Sequence, residues 1–422
     1  MTRQRQSLSG LLVCICLCWA VSAHANAVTD WNAITVTYVA TGAPGTPPIP
    51  VGRTGPPGLF DIAIVQAAVH DAVQAIEGRY EPYFYSDPSK FGVGNPAAAV
   101  AAAAHRVLVL LYPGQAGSLN TRYNDYLNAH GLNGDPGLAV GEAAAAALFT
   151  QYRPTLAVAP FTGFTETGQW RSLNNTSMSF LFMAFSEPFT LNRASQFRPQ
   201  PPPPLNSGQY LREYNEAMAL GNINRPADGL TDMANFWSGN FVSMWNEALQ
   251  PIANAQALDI GDSARLFALA NLAAADAAIA VWDSKYFYNY WRPITAIREG
   301  DTDGIAKTAG DVTWTPLIAA GTPNYPDYVS GANGLTGAFT GMLQRFLGSD
   351  ALTFSVKTTA AAAIDKERDF THISQAAHEV VEARILLGIH FRAADEEARQ
   401  LGDRIAGWVF QKFLRPLPGG QR

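Results

Sequence analysis

Three short segments carry side chains whose types and spacing suit one kind of chemistry, the capture of a tetrahedral oxyanion. The first spans residues 285–293, Lys-Tyr-Phe-Tyr-Asn-Tyr-Trp-Arg-Pro. Lys285 and Arg292 stand seven residues apart, nearly in phase on a helix, and Pro293 is expected to end it, because the residue before a proline avoids helical geometry. Two cations on one face of an aromatic-rich helix are costly to bury unless an anion sits between them. The second segment, residues 326–334, holds a Ser330-Gly331 turn before an apolar helical run. Such a turn presents backbone N–H groups at the positive end of the helix dipole, and Gly331 lets an oxyanion come close to the backbone. The third, residues 384–391, places Arg384 six residues before His390, with Gly388 as a break that turns His390 back toward Arg384. Lys285, Arg292 and Arg384 would offset the charge of phosphate or vanadate, arginine through its planar fork and lysine as a point charge. His390, its pKa lowered by these cations, would be the nucleophile or the atom that bonds the central element.

The elements that must position these residues read as helices joined by Pro/Gly loops. Apolar or alanine-rich runs at 59–77, 97–111, 138–152, 262–291, 335–347 and 358–387 predict helices, the fourth with Asp262 or Ser263 as N-cap. Alternating strand patterns are scarce, and no repeat of 20–50 residues appears. The expected class is all-α, built of helical bundles. Pro201-Pro202-Pro203-Pro204 is a stiff extended connector. It divides the chain into a helical region at 26–204 and a site-bearing helical domain at 205–422.

Several polar residues on these helices have a plainer reading. His70-Asp71 is expected to be a buried, satisfied polar contact between helices. Asp276 and Asp283, seven apart on one helix face, are expected to pack or pair with neighbouring elements rather than bind a cation. No HExxH, G-x-S-x-G or phosphate-loop motif occurs.

The 422 residues suffice for one large or two medium domains. Charged residues make up only 15%, below the usual ~25%, so much of the surface is buried and long disorder is not expected. A net charge of -6 argues against non-specific binding to nucleic acid or anionic membranes. Residues 1–25 have the layout of a secretory leader: Arg3 and Arg5, an apolar run at 11–20, and Ala23-His24-Ala25 before a cleavage point near Ala25/Asn26. The run is short for a bilayer span, so no stable span is expected in the mature chain. Cys14, Cys16 and Cys18 all lie within the leader, which removes disulfides and thiolate chemistry from the mature protein. The expected location is periplasmic or extracellular.

At the three segments the chain resembles the superfamily of vanadium-dependent haloperoxidases and type-2 phosphatidic acid phosphatases. The shared pattern is K-x6-RP, a Ser-Gly turn, then R-x5-H. The surrounding text at 290–298, 301–304, 314–317 and 388–391 is closer to the haloperoxidase-like branch, and the resemblance covers roughly residues 205–415. It implies an all-α helical-bundle fold of the haloperoxidase and acid phosphatase type. It also implies vanadate as cofactor, its oxygens held by Lys285, Arg292, Ser330, Gly331 and Arg384, with His390 as the catalytic residue and the one ligand to the metal. Peroxide and halide would then be the small-molecule substrates. In the phosphatase relatives no cofactor is needed, and His390 would take the phosphoryl group of an ester. Nothing in the sequence sets the oligomeric state.

The chain departs from the superfamily at one point that matters. The turn usually reads Ser-Gly-His, the histidine acting as general acid or base; here Ala332 follows, then Asn333. Ala332 transfers no proton, and Asn333 is no acid near neutral pH. His372 and His378 lie upstream on the expected Arg384 helix, with His378 about 120° out of phase with Arg384. The acidic residue often found four places after the histidine is Ala394, with Asp395 one place later. Three readings follow: a haloperoxidase-like oxidoreductase, an exported acid phosphatase working through a phosphohistidine, and an oxyanion-binding pseudoenzyme.

Overall fold

The computed structural model describes residues 26–41, 53, 55–318 and 321–419. The expected leader and its three cysteines lie outside the described residues. Among these there are thirteen α-helices and one two-stranded sheet. The helices are α1 (Ala27–Val36), α2 (Gly58–Glu77), α3 (Pro96–Leu111), α4 (Ala116–His130), α5 (Gly137–Phe149), α6 (Gly208–Leu220) and α7 (Gly229–Phe236). They continue with α8 (Phe241–Ala255), α9 (Ile260–Tyr288), α10 (Pro293–Arg298), α11 (Gly331–Leu347), α12 (Ile373–Leu386) and α13 (Arg392–Lys412).

Helix α9 is the axis of the fold. Alanines at 268, 270, 273–275, 277, 278 and 280 make it narrow and apolar on all sides, and all of these are fully buried. α2, α11 and α13 pack along it, and α3 and α5 pack on α2. Both α2 and α9 are long and apolar enough to cross a bilayer; here they form the buried centre of the molecule. The N-cap of α9 is Asp259, whose carboxylate accepts from the Asp262 amide at 2.8 Å, three residues before the expected start.

The largest correction lies at 358–387, where one helix was expected. Residues 351–357 alternate buried and exposed and form strand β1 (Ala351–Lys357), antiparallel to β2 (Glu367–His372); only then does α12 begin. The alanines at 360–363 belong to the connection, not to a helix. His372 and His378 are both exposed.

His70, Asp71, Asp276 and Asp283 each have hydrogen-bond partners on a neighbouring segment. Asp71 accepts from the amides of Tyr83, Phe84 and Tyr85 at 2.6–2.8 Å, and His70 Nε2 meets the Glu81 carbonyl at 3.0 Å. Asp276 accepts from the amides of Phe189, Thr190 and Leu191 at 2.6, 2.8 and 3.1 Å and from the Thr190 hydroxyl. Burial lifts Asp276 to about 6 against the pull of these bonds. Asp283 pairs with Arg198 in a two-bonded fork at 2.7–2.8 Å.

Each aspartate therefore anchors an irregular segment to a helix, and the two on α9 differ in exposure. Asp276→Ala leaves three buried amides without an acceptor and should lower stability by about 3 kcal/mol. Asp283→Ala breaks a partly solvated pair and should cost less than about 1 kcal/mol. Urea denaturation of both variants measures the difference; equal costs would mean that the Asp276 bonds contribute nothing beyond an ordinary surface pair.

Candidate functional site

Close approach of two helices sets the frame of the site. A Cβ added to Gly337 of α11 would stand 2.1 Å from the Arg399 carbonyl of α13, and one on Gly402 would stand 2.1 Å from the Gly334 carbonyl. Only glycine allows this spacing. It brings the N-termini of both helices together, and the Ser330 amide donates to the Ala394 carbonyl at 2.9 Å. Ser330 is the N-cap of α11 with extended backbone, and Gly331 is its first residue.

Lys285 and Arg292 reach the same point by a route the helical spacing did not predict. α9 stops at Tyr288, because Asn289 takes the left-handed conformation (φ 44°) that asparagine tolerates. Arg292 is extended and caps α10, with Pro293 opening that short helix rather than ending α9. The two cations are thus not on one helix face. They are drawn together by the strap at 325–327. Lys285 Nζ donates to the carbonyls of Pro326 and Asp327 at 2.6 and 2.9 Å. Arg292 donates through Nε to the Tyr325 carbonyl at 2.7 Å and through Nη1 to the Ile389 carbonyl at 2.6 Å. The Tyr325 ring lies 4.8 Å from both Lys285 Nζ and Arg292 Cζ.

Arg384 lies in the last turn of α12 and donates to the Trp237 carbonyl at 3.0 Å. Gly388 then turns the chain with φ 73°, as its place between Arg384 and His390 suggested. His390 Nδ1 bonds Asp327 Oδ1 at 2.6 Å. A neutral imidazole donating from Nδ1 keeps its lone pair on Nε2. Burial and the charges of Arg292, Lys285 and Arg384 hold His390 well below its ordinary pKa, which favours this neutral form.

Lys285, Arg292, Ser330, Gly331, Arg384 and His390 therefore meet in one buried place. None of the three cations forms a salt bridge with a carboxylate among the described residues. Arg292 Nη2 and Arg384 Nε are buried donors without an acceptor among the described residues. Burial depresses Lys285 well below its usual value, with Arg292 the next cause. Charges this close and this dry call for an anion.

Two carboxyl groups belong to the site that its motifs did not disclose. Asp327 stands between Lys285, Arg292 and His390, and burial lifts it to about 7 despite both cations. Asp395 bonds Asn333 Nδ2 at 2.8 Å and the Ser330 hydroxyl, and burial raises it well above the carboxylate range. The carboxylate that orients His390 thus comes from the strap before Ser330, not from the positions after the histidine. Asp395, one place beyond the usual acidic position, steadies the Ser330 turn instead. Asp327 lies three residues before Ser330 in a segment already chosen for its chemistry, and a buried histidine needs a partner; that was the available signal. Tyr325 and Trp282 were likewise passed over; their rings meet with centroids 5.3 Å apart beside the cations.

The fold and the carboxyl-terminal part of the chain have known counterparts. Residues 265–419 match the family model of the VCPO second helical-bundle domain. The whole fold superposes on the crystal structure of the first bacterial vanadium-dependent iodoperoxidase with a TM-score of 0.73, at 23% identity, over 93% of this chain and 97% of that one. For an apo-type bacterial vanadium-dependent chloroperoxidase the values are 0.66, 16%, 84% and 92%. The protein thus has the all-α helical-bundle fold of the vanadium haloperoxidases. In sequence, vanadium chloroperoxidase of Curvularia inaequalis is 34% identical over 105 residues. That stretch covers 23% of this chain and 16% of the relative's length.

The position of His390 depends on the turn before it. A Cβ on Gly388 would stand 2.3 Å from the Gly221 carbonyl and 3.0 Å from Trp314 and Pro316, at a φ unsuited to alanine. Gly304 has a similar φ of 81° but open space around it. Gly304→Ala should cost only the left-handed strain of about 1–2 kcal/mol, and Gly388→Ala should cost more than that because overlap is added. Chemical denaturation of the two variants checks the order; equal losses would mean that the Gly221 contact relaxes freely and does not fix the turn.

Proposed function

We propose that the protein is a vanadate-dependent haloperoxidase, using hydrogen peroxide to oxidise a halide. The observation that carries this is the pair of buried, unsatisfied guanidinium donors, Arg292 Nη2 and Arg384 Nε, in a cluster of three cations lacking carboxylate salt bridges. A tetrahedral oxyanion supplies acceptors for both donors and offsets the charge. Lys285, with two of its three N–H bonds given to the strap, has one left for the same anion. Ser330 and the first-turn amide of Gly331 would complete the cradle, and His390 Nε2 would hold the vanadium. Bound vanadate supplies a Lewis-acid centre that activates peroxide toward halide. The chain's own part is to bind, neutralise and orient: Asp327 fixes the His390 tautomer, and the buried setting strengthens each contact to the anion. Ala332 provides no proton donor, so protons must come through solvent or through the Ser330–Asp395 pair.

A second reading is favoured by the Asp327–His390 bond. A histidine oriented through Nδ1 with its Nε2 lone pair free is also set up as a nucleophile toward a phosphate ester. One experiment separates the readings. Purified protein is stripped of metals, orthovanadate is added, and bromide and iodide oxidation is assayed beside phosphate-ester hydrolysis. We expect peroxide-dependent halide oxidation that requires vanadate. Ester hydrolysis that vanadate inhibits would establish the phosphatase instead, and vanadate binding without either turnover would establish the pseudoenzyme. Arg384→Ala should weaken vanadate binding by about 1.5–3 kcal/mol, the worth of a charged hydrogen bond. Its single bond to the Trp237 carbonyl predicts a smaller folding cost than Lys285→Ala, which frees two strap carbonyls.

We further propose that the protein acts outside the cytoplasm, on the strength of Arg3, Arg5, the apolar run and Ala23-His24-Ala25. N-terminal sequencing of exported protein should read from Asn26. An intact Met1 on exported material would overturn this and point to a retained anchor.

A further inference from the structure

A second cavity, of about 430 Å³, lies at the carboxyl-terminal end of α2, where the chain turns at Gly78 and folds back over the helix. None of its lining residues belongs to the oxyanion site. Its volume falls in the range of about 300–1,000 Å³ typical of sites for small organic molecules. Tyr80, Tyr85, Phe91, Pro82 and Pro88 give it mostly apolar walls. Phe91 is 67% exposed but held in place: a Cβ added to Gly78 would stand 2.8 Å from its ring. A large ring kept at the surface over a cavity leaves an apolar face for a ligand to cover.

The polar group on these walls is oriented. Gln74 is 5% exposed, and its Oε1 accepts from the amides of Arg79 and Tyr80, both at 3.0 Å. Those two bonds fix which end of the side-chain amide is oxygen. Nε2 is the end left over, a buried donor without an acceptor among the described residues, on a side chain that lines the cavity. A buried amide N–H left unpaired is costly, so a bound acceptor oxygen is rewarded there. Asp87 is the one charged residue among the described residues that line the cavity. Its carboxylate disfavours an anionic ligand. A cation would suit Asp87 but leave the Gln74 donor unmet.

We infer that this cavity is a binding site for a neutral aromatic carbonyl compound, its oxygen toward Gln74 Nε2 and its ring between Tyr85 and Phe91. The inference is independent of the oxyanion reading and concerns a separate place on the molecule.

The test measures binding of acetophenone to the full chain by calorimetry, beside ethylbenzene, benzoate and benzyltrimethylammonium, with and without orthovanadate. Acetophenone should bind about fivefold tighter than ethylbenzene, the worth of one ordinary neutral hydrogen bond, and tighter than either ion. Orthovanadate should not displace it. Gln74→Glu keeps an acceptor for both backbone amides and removes the donor, so it should abolish the preference for acetophenone over ethylbenzene. Phe91→Ala, which removes an exposed ring, should weaken both neutral ligands. Should Gln74→Glu not fold, the carbonyl stretch of acetophenone on the wild-type chain decides: it should move to lower frequency on binding, as a hydrogen-bonded carbonyl does. Equal affinity for acetophenone and ethylbenzene, tighter binding of either ion, or an unshifted carbonyl stretch would each overturn the site. So would a preference retained in folded Gln74→Glu, unchanged affinities in Phe91→Ala, or displacement by orthovanadate.

Discussion

The site depends on how one irregular strap, residues 325–327, holds cations that would otherwise repel. Burial and the nearby Arg292 both disfavour the charge of Lys285, yet neither cation has a carboxylate salt bridge among the described residues. The strap substitutes three carbonyl oxygens and one aromatic face. Carbonyl dipoles lower the cost of burying a charge without cancelling it. A carboxylate in the same place would have neutralised the cation and removed its pull on an anion. The one carboxyl group on the strap, Asp327, is directed to His390 instead. The strap thus keeps the positive charges in place and unspent, and it fixes the imidazole from the same three residues.

The rest of the fold brings the ends of several helices to that strap. Glycines at 337 and 402 let α11 and α13 touch backbone to backbone, so that Ser330 at one N-terminus meets Ala394 at the other. Gly388 swings the chain leaving α12 so that His390 arrives just before α13 begins. Three tyrosines tie the chain around the proline connector to the same region: Tyr288 donates to the Pro199 carbonyl, Tyr290 to that of Pro203, and Tyr328, just before Ser330, to that of Gln200. Tyr286 and Phe287 of the aromatic run at 285–293 are exposed, whereas Tyr288, Tyr290 and Tyr328 are framework. Their hydroxyls satisfy a connector whose prolines have no N–H to offer in return.

What could be read from the chain alone was the set of residue types, and what could not was their geometry. Lys285, Arg292, Ser330, Arg384 and His390 stand out because each lies in a short, chemically unusual segment. Lys285 and Arg292 do not share a helix face, because Asn289 accepts a left-handed backbone that no periodicity announces. The role of Asp327 was hidden because it pairs with a residue 63 positions away, a contact made only by tertiary packing. The hairpin at 351–372 was misread because an alanine run in its connection looks helical. The alternating Leu352, Phe354 and Val356 just before it were the better guide. Helices α2, α3, α9 and α11 were legible because long apolar or alanine-rich runs leave few alternatives.

Ala332 ties these observations together. In a site whose charge is supplied by three fixed cations, the first turn of α11 can contribute backbone donors whatever its side chains are. The side chain at 332 is then free to serve another need. Ala332 lines the same cavity as Arg384, and an imidazole there would add a group able to transfer a proton. Asn333 and Asp395 occupy the space behind it, bonded to each other at 2.8 Å and to Ser330, so that the turn is held without help from position 332. Under the haloperoxidase reading a proton would then come from solvent or from a buried carboxyl group such as Asp395, which burial raises well above the carboxylate range.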